Sequence, residues 1–437
     1  MTSRFLKTPL IFFLFTWGNS SLLLSQTISS DINIIARMYV EGNYSKITEY
    51  FEKEKSTSLS AIEYYYLGMS YSQLKNLTMA LKNLEKAVEI DSLNNNYRLN
   101  YARFLNQYGR INEAMKQYQI VIDRDTLNVT GMFELGLIKT LKRDFDTAYN
   151  LFTRVSEIND KDFLAAYYRA FTKINMLSTK QDTIDAYILI NEAVRLNMEY
   201  SPIFELAGSF GIASKNYMYG FGQYSRLIQI DPEKLDYFYR AAFCAEKAKL
   251  FNPAIGLFNK AIKRDSTVAN YYSHLGYCYF ALGEFDSALV AYKKASEIDY
   301  SNPSNDINVA LTYEKLDSLS QAQIYYESAI YKYPYEDIVY AFEKLSQLSY
   351  RQKNYNQAIS YSEKALVLEP ASAQALFYAA CSLDRVNKTN KALEYYKKAS
   401  IELKKDKKFS KELEYVNEQI SQIELKTKER KFWEGSK

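Results

Sequence analysis

Small residues return to the same two places every 34 positions along most of this chain, and such a chain folds as a row of like units. Aligned on itself, the sequence falls into ten blocks beginning at Ala61, Asn95, Val129, Phe163, Ser201, Leu235, Ala269, Pro303, Val339 and Ala373. The step is 34 apart from four extra residues near 177–182 and two before Val339, insertions that a loop absorbs and a helix does not. The eighth position holds Gly68, Ala102, Gly136, Ala170, Gly208, Ala242, Gly276, Ala310, Ser346 and Ala380. The twentieth holds Ala80, Ala114, Ala148, Ala186, Gly220, Ala254, Ala288, Ala322, Ala358 and Ala392.

Apolar residues within each block recur at spacings of three and four, the period of an amphipathic helix, and turn signals split every block into two helices of about twelve residues. Small side chains at fixed places let two helix backbones approach where they cross. Large residues then fill the remaining space. Aromatic or aliphatic side chains recur at the seventeenth position (Tyr44, Ile111, Phe145, Tyr217, Phe251, Phe285, Leu319, Tyr355) and at the twenty-fourth (Tyr118, Phe152, Tyr224, Phe258, Tyr292, Tyr326, Tyr396). That accounts for much of a content of 41 Tyr against two Trp and one His. No strand alternation appears, so the expected fold is all-α, an α-solenoid of ten to eleven helix-turn-helix units. The ten blocks span 61–406. A degenerate unit at 28–60 keeps Gly42, Asn43, Tyr44 and Phe51. Residues 407–437 read as one charged helix with an apolar stripe of Leu413, Val416, Ile420 and Ile423, expected to cap the array; the alternative is a basic tail seeking an anionic surface.

The first residues have the order of an export signal: Arg4 and Lys7, an apolar run from Leu10 to Leu24, and Ser25-Gln26 at the expected cut. An uncleaved anchor is the alternative, but the run is interrupted by Gly18, Asn19, Ser20 and Ser21 and falls short of the ~20 residues a spanning helix needs. The reading is a signal peptide over 1–25, a chain with no transmembrane segment after its removal, and a periplasmic or other envelope location. Export implies an oxidising compartment, where Cys244, Cys278 and Cys381 become candidates for a bridge. Cys244 and Cys278 occupy the same place in adjacent blocks, on helices whose axes should lie about 8–10 Å apart. A bridge needs Cα atoms within about 7 Å. The three are read as small buried residues.

Composition also removes functions. Lys and Arg exceed Asp and Glu by four, mostly through the last fifty residues, so no nucleic-acid groove is indicated. One His and three scattered Cys leave no metal or histidine-based catalytic set. His274 is read as structural. Gly-Phe-Gly at 220–222 has neither a strand before it nor Lys-Ser after it, so it is no phosphate loop. No cofactor and no enzymatic centre is expected.

The residues that carry these columns resemble the tetratricopeptide repeat. Block 271–300 fits best, with Tyr272, Leu275, Gly276, Tyr279, Gly283, Phe285, Ala288, Tyr292 and Ala295 at the signature positions, and the closing Pro appears as Pro232, Pro334 and Pro370. The leader and residue bias resemble envelope proteins of Bacteroidetes-type bacteria. Asp followed by Ser or Thr at Asp91, Asp125, Asp146, Asp182, Asp286 and Asp317 resembles the O-glycosylation signal of exported proteins from that group, although such pairs also serve as helix caps.

The resemblance implies a right-handed superhelix whose inner groove, lined by the first helix of each pair, binds a protein or peptide partner. Transferred to this chain, the lining positions give Tyr65, Arg103, Phe133, Tyr167, Phe171, Tyr239, Phe243, Tyr277, Phe280, Glu314, Tyr350 and Phe377. Glu205, Asp236, Glu246, Glu343 and Asp384 join them, so the charge is mixed. Each ring has the alternative of packing within the array. The family's clamp for a chain-terminal carboxylate and its asparagine ladder are both absent by residue. Block five crowds Gly208, Gly211, Gly220 and Gly222, read as either a flexible joint or repeat decay. Three function classes follow: a non-catalytic scaffold that holds a partner segment, a carbohydrate or peptidoglycan binder using the aromatic groove, and, least supported, an enzyme.

Overall fold

The computed structural model describes residues 30–53, 59–332 and 335–434. The expected export signal lies outside them. Every regular element among the described residues is helical, 23 α-helices and one 3₁₀ turn, and no strand occurs. The chain divides into two compact units, 1–176 and 177–437. The division falls at the four-residue insertion near 177–182, not in the glycine-crowded block that follows it.

The first unit holds α1 (Ser30–Val40) and α2 (Tyr44–Lys53), α3 (Ala61–Gln73) and α4 (Leu77–Ile90), α5 (Asn95–Gln107) and α6 (Ile111–Arg124), α7 (Val129–Leu141) and α8 (Phe145–Ile158), and then α9 (Phe163–Asn175). The second opens with α10 (Lys180–Leu196). It continues through the pairs α11 (Ser201–Ala213) and α12 (Tyr217–Ile230), α13 (Leu235–Lys247) and α14 (Phe251–Arg264), and α15 (Ala269–Leu282) and α16 (Phe285–Ile298). Then come α17 (Pro303–Lys315) and α18 (Leu319–Tyr331), α19 (Tyr335–Arg351) and α20 (Tyr355–Leu368), and α21 (Ala373–Arg385) and α22 (Thr389–Leu403). A closing helix, α23 (Ser410–Glu434), follows the 3₁₀ turn Lys407–Phe409. Block starts coincide with helix starts except at Val339, where α19 begins earlier, at Tyr335.

The turns inside the pairs share one device. Ten residues at the fifteenth position adopt positive φ: Gly42, Gly109 and Gly283, but also Lys75, Arg143, Lys215, Lys249, Asp317, Lys353 and Asn387. This left-handed residue ends the first helix and lets the chain reverse. Where Lys or Arg holds it, the sequence gives no glycine to announce the turn. Asn and Asp side chains cap the helices that follow, as Asn76 does for Met79 N–H and Asp162 for the N–H groups of Leu164 and Ala165. Several Asp of the Asp-Ser/Thr pairs are likewise engaged in turns: Asp125 accepts from Asn128 and from Leu127 N–H, and Asp182 completes a capping box with Thr179.

The eighth and twenty-fourth positions turn out to be partners. A Cβ added at Gly276 would stand 2.7 Å from the ring of Tyr292, and one at Gly136 would stand 2.8 Å from Phe152. The small residue is the seat of the ring, and the rings of Tyr118, Phe152, Phe258, Tyr326 and Tyr396 are wholly buried there. Burying such a ring is worth roughly 1.5–3 kcal/mol. Block nine replaces both partners at once: Ser346 and Ser362, both fully buried, share a hydrogen bond of 2.6 Å. Many tyrosines elsewhere keep the ring inside and give the hydroxyl to a neighbouring glutamate, as Tyr71 does to Glu52 at 2.9 Å, Tyr101 to Glu85 at 2.9 Å and Tyr361 to Glu327 at 2.8 Å.

The glycines of block five serve close approach. A Cβ on Gly211 would lie 2.7 Å from the backbone nitrogen of Gly220, and one on Gly220 would lie 2.9 Å from Cys244 Sγ. Only Gly222 of the four faces open space. All three cysteines are free and buried, and burial pushes each thiol up to about 12. Along α23, Val416 and Ile423 are buried against α22, with Leu413 and Ile420 partly so.

Candidate functional site

First helices of successive pairs approach one another in the second unit, α13 with α15, α17 with α19 and α19 with α21, so one face of the unit is built from them. A residue of a first helix that projects between its neighbours therefore meets the next first helix, not only its own partner.

In the first unit, Tyr65 is half-buried against Tyr97 at 4.8 Å and Tyr66 at 5.7 Å between centroids, and its hydroxyl accepts from Asn100 at 3.3 Å. Burial and the surrounding phenols push its phenol well up. Arg103 reaches α7, where its Nε donates to Glu134 at 3.0 Å. Phe133 packs edge-on against Phe152 and Tyr168. Tyr167, expected in the groove, is only 6% exposed and packs with Tyr168 and Phe171, so it offers no ring face to a partner. The period places it correctly on α9 but cannot tell which side of a lining position is covered.

The second unit separates the remaining expected residues into clusters. Glu314 is held inside the array: it accepts from Tyr326 at 2.6 Å and pairs with Arg351 at 3.7 Å and Lys344 at 3.9 Å. Phe280 packs edge-on to Phe285, while Tyr350 and Phe377 both pack against Tyr378, at 5.9 and 5.1 Å. Among the other lining acids, Glu205 accepts from Lys234 at 2.7 Å and from the Tyr237 hydroxyl, and Glu343 accepts from Ser372 at 2.5 Å.

Tyr239 and Phe243 meet at His274, and Tyr277 lies beside them. The imidazole stacks on Phe258 at 5.6 Å with an 8° tilt, and the rings of Tyr239 and Phe243 meet it edge-on at 5.9 and 5.7 Å. His274 Nδ1 bonds Glu246 at 2.5 Å, and Nε2 lies 3.4 Å from the Tyr239 hydroxyl. The Glu246 side chain is 1% exposed and also accepts from Lys247 at 2.7 Å. Burial opposes its ionisation, but the bonds from His274 and Lys247 outweigh that and hold the carboxyl below its usual range. The Lys247 ammonium stands over the rings of Phe243 and Tyr277, at 5.2 and 5.7 Å from their centroids. Tyr277 is the most open of the three rings, 46% exposed.

His274 thus ties two first helices together, as expected of a structural histidine, and it also floors this aromatic patch. Lys247 escaped the sequence reading because it lies outside the repeat's lining columns, in the last turn of α13. What gives it a role is its neighbour Glu246, which the period does place on the lining.

Two stretches of the chain, residues 269–299 and 64–92, match the tetratricopeptide repeat. No curated protein sequence matches the chain. Among solved structures it is similar to a tetratricopeptide repeat protein from Parabacteroides merdae, at 18% identity over 58% of this chain and 98% of that one, with a TM-score of 0.39. It is also similar to YrrB, described as a TPR protein with an unusual peptide-binding site, at 19% identity over 46% of this chain and 97% of that one, with a TM-score of 0.36. Yeast Tom70 is 13% identical over 89% of this chain and 95% of its own, with a TM-score of 0.38. The repeat matches support a tetratricopeptide-repeat family and an all-α helical repeat solenoid.

Proposed function

We propose that this chain is a non-catalytic scaffold of the bacterial cell envelope that holds a segment of another protein on the face made by the first helices of its second unit. The observation that carries the reading is the patch of Tyr239, Phe243 and Tyr277 beside Lys247: half-open aromatic rings next to a charge, on rigid helices, are the composition of a binding hot spot. The other expected rings, Tyr65, Phe133, Tyr167, Phe171, Phe280, Tyr350 and Phe377, each pack against another ring, which narrows the face a sugar ring would stack on. A protein segment is therefore favoured over a carbohydrate polymer.

The envelope location rests on the order of residues 1–26 in the sequence. No helix among the described residues is long and apolar enough to cross a membrane. Cell fractionation with sequencing of the mature amino terminus tests the location; a chain recovered in the cytoplasm with Met1 intact would reject it.

For binding, the full chain should retain a specific partner from an envelope extract. Tyr277→Ala should lose that partner while keeping the helical circular dichroism of the wild type. Equal retention by the variant would place the binding surface elsewhere, and turnover of any substrate by the isolated chain would overturn the non-catalytic reading.

A further inference from the structure

Three blocks bring the fourth position, on the first helix, and the thirtieth, at or just past the end of the second, into one place. Block eight pairs an acid with a base there: Asp306 lies 2.7 Å from Lys332 Nζ. Block six sets Arg264 over the ring of Phe238, 4.3 Å from its centroid, and the same guanidinium reaches Glu233 at 3.9 Å. Each of those cations has a carboxylate or a ring to face. Block two has a cation at both positions, Arg98 on α5 and Arg124 at the end of α6.

The two guanidiniums share one acceptor. Arg98 Nη2 donates to the Ser92 carbonyl at 2.8 Å, and Arg124 Nη1 donates to the same oxygen. In the next turn of the kind the equivalent carbonyl, that of Thr126, takes a single arginine, Arg154, at 3.0 Å. Neither Arg98 nor Arg124 forms an ion pair among the described residues. The acids nearest in sequence bond elsewhere: Asp91 accepts from Asn94 at 3.4 Å, Asp123 from Gln119 at 2.8 Å and Asp125 from Asn128 at 2.9 Å.

Arg98 carries the larger cost. It is 6% exposed, its Nη1 donates to Gln117 at 2.5 Å, and its Nε is buried without a hydrogen-bond partner. Burial, and after it the Arg124 charge, holds its pKa below the usual arginine value. A second cation adds to the desolvation cost of the first, and one carbonyl dipole does not neutralise two unit charges. Arg124 and Ser92 are exposed, so the pair is open to solvent, and Arg124 keeps its Nε and Nη2 donors uncommitted within the protein.

We propose that Arg98 and Arg124 form an oxyanion site that binds a phosphate group beside the Ser92 turn, supplying the negative charge that Asp306 supplies to Lys332 in block eight. Guanidinium forks match the paired oxygens of such a group, and two unneutralised charges favour a dianion over a single carboxylate. The site belongs to the first unit and does not depend on the partner surface proposed for the second.

Isothermal titration calorimetry of the full chain with inorganic phosphate, at an ionic strength held constant with chloride, should show saturable binding of a single ion. Glycerol phosphate presents the same group as an ester. Tighter binding of the ester identifies a phosphoryl group carried on a larger molecule as the ligand, and tighter binding of the ion identifies free phosphate. Arg124→Met, at an exposed position, should weaken binding about tenfold or more, the loss of at least one charge-assisted bond. Arg98→Phe restores the ring-and-arginine pair of block six, so it should abolish binding while the melting temperature in phosphate-free buffer stays at or above that of the wild type. Phosphate also stabilises folded chains generally by exclusion from their surface, an effect both variants keep, so the difference from the wild type isolates the site. No saturable heat with either ligand, or wild-type affinity in both variants, would overturn the proposal.

Discussion

Gly211→Ala and Gly222→Ala place the same methyl group in two helices of one pair, and the structure assigns them opposite effects. At Gly222 the new Cβ meets nothing within 4 Å, so only helix propensity acts, and alanine should stabilise α12 by up to about 1 kcal/mol. At Gly211 it would stand 2.7 Å from Gly220 N and 2.8 Å from Gly220 Cα. The obstacle is backbone, which cannot rotate aside, so the two helices must part. Overpacking of that kind costs about 1–3 kcal/mol, and against a propensity gain of about 1 kcal/mol the net loss should be up to about 2 kcal/mol. Amide hydrogen exchange resolved to 201–230 reads both variants locally: opening of α11 and α12 should become more frequent in Gly211→Ala and less frequent in Gly222→Ala. A flexible joint predicts that both alanines stiffen the segment. Slower exchange in Gly211→Ala would therefore refute the close-packing account of this block.

The αL turn position makes a second pair. Gly283→Ala should cost about 1 kcal/mol through backbone strain alone, since its Cβ would touch nothing, whereas Lys353→Gly at the equivalent turn should be neutral or raise the melting temperature. Lys332→Met removes the cation from a buried pair in which Nζ lies 2.7 Å from Asp306 Oδ2 and both side chains are at most 4% exposed. It should cost about 3 kcal/mol by denaturant unfolding, and adding Asp306→Leu should recover part of that. Glu246 has a folded-state pKa below its unfolded value, so its contribution is present above the ordinary glutamate range, near pH 4.3, and is lost as pH falls through the folded value. Wild-type melting should fall on acidification below that range, and Glu246→Gln should start lower at neutral pH and show a shallower fall.

The helix pairs were legible in the sequence because their cause is local and periodic. A glycine or alanine must sit where backbones cross, and a ring must fill the space beside it, so Gly276 and Tyr292 declare each other through spacing. Position-specific chemistry was less legible. Lys353 and Arg143 occupy left-handed turns that sequence reading recognises only when glycine is there. Asp306 and Lys332 look like the solvated charges found on any helix until the fold buries them together. The same limit applies to the site. A repeat position names Tyr167 and Tyr277 alike as lining residues, but neighbouring side chains cover the first and leave the second open. His274 could be read as a lone structural histidine; its bond to buried Glu246 and its place beneath Tyr239 and Phe243 depend on two helices meeting across 28 residues of chain.

Hydrogen–deuterium exchange on the full chain, with and without the protein it retains from an envelope extract, tests the binding claim most directly. The account predicts new protection concentrated on α13 and α15, around Phe243, Lys247 and Tyr277, and its disappearance in Tyr277→Ala. Protection confined to the second helices of the pairs, with α13 and α15 unchanged, would contradict it.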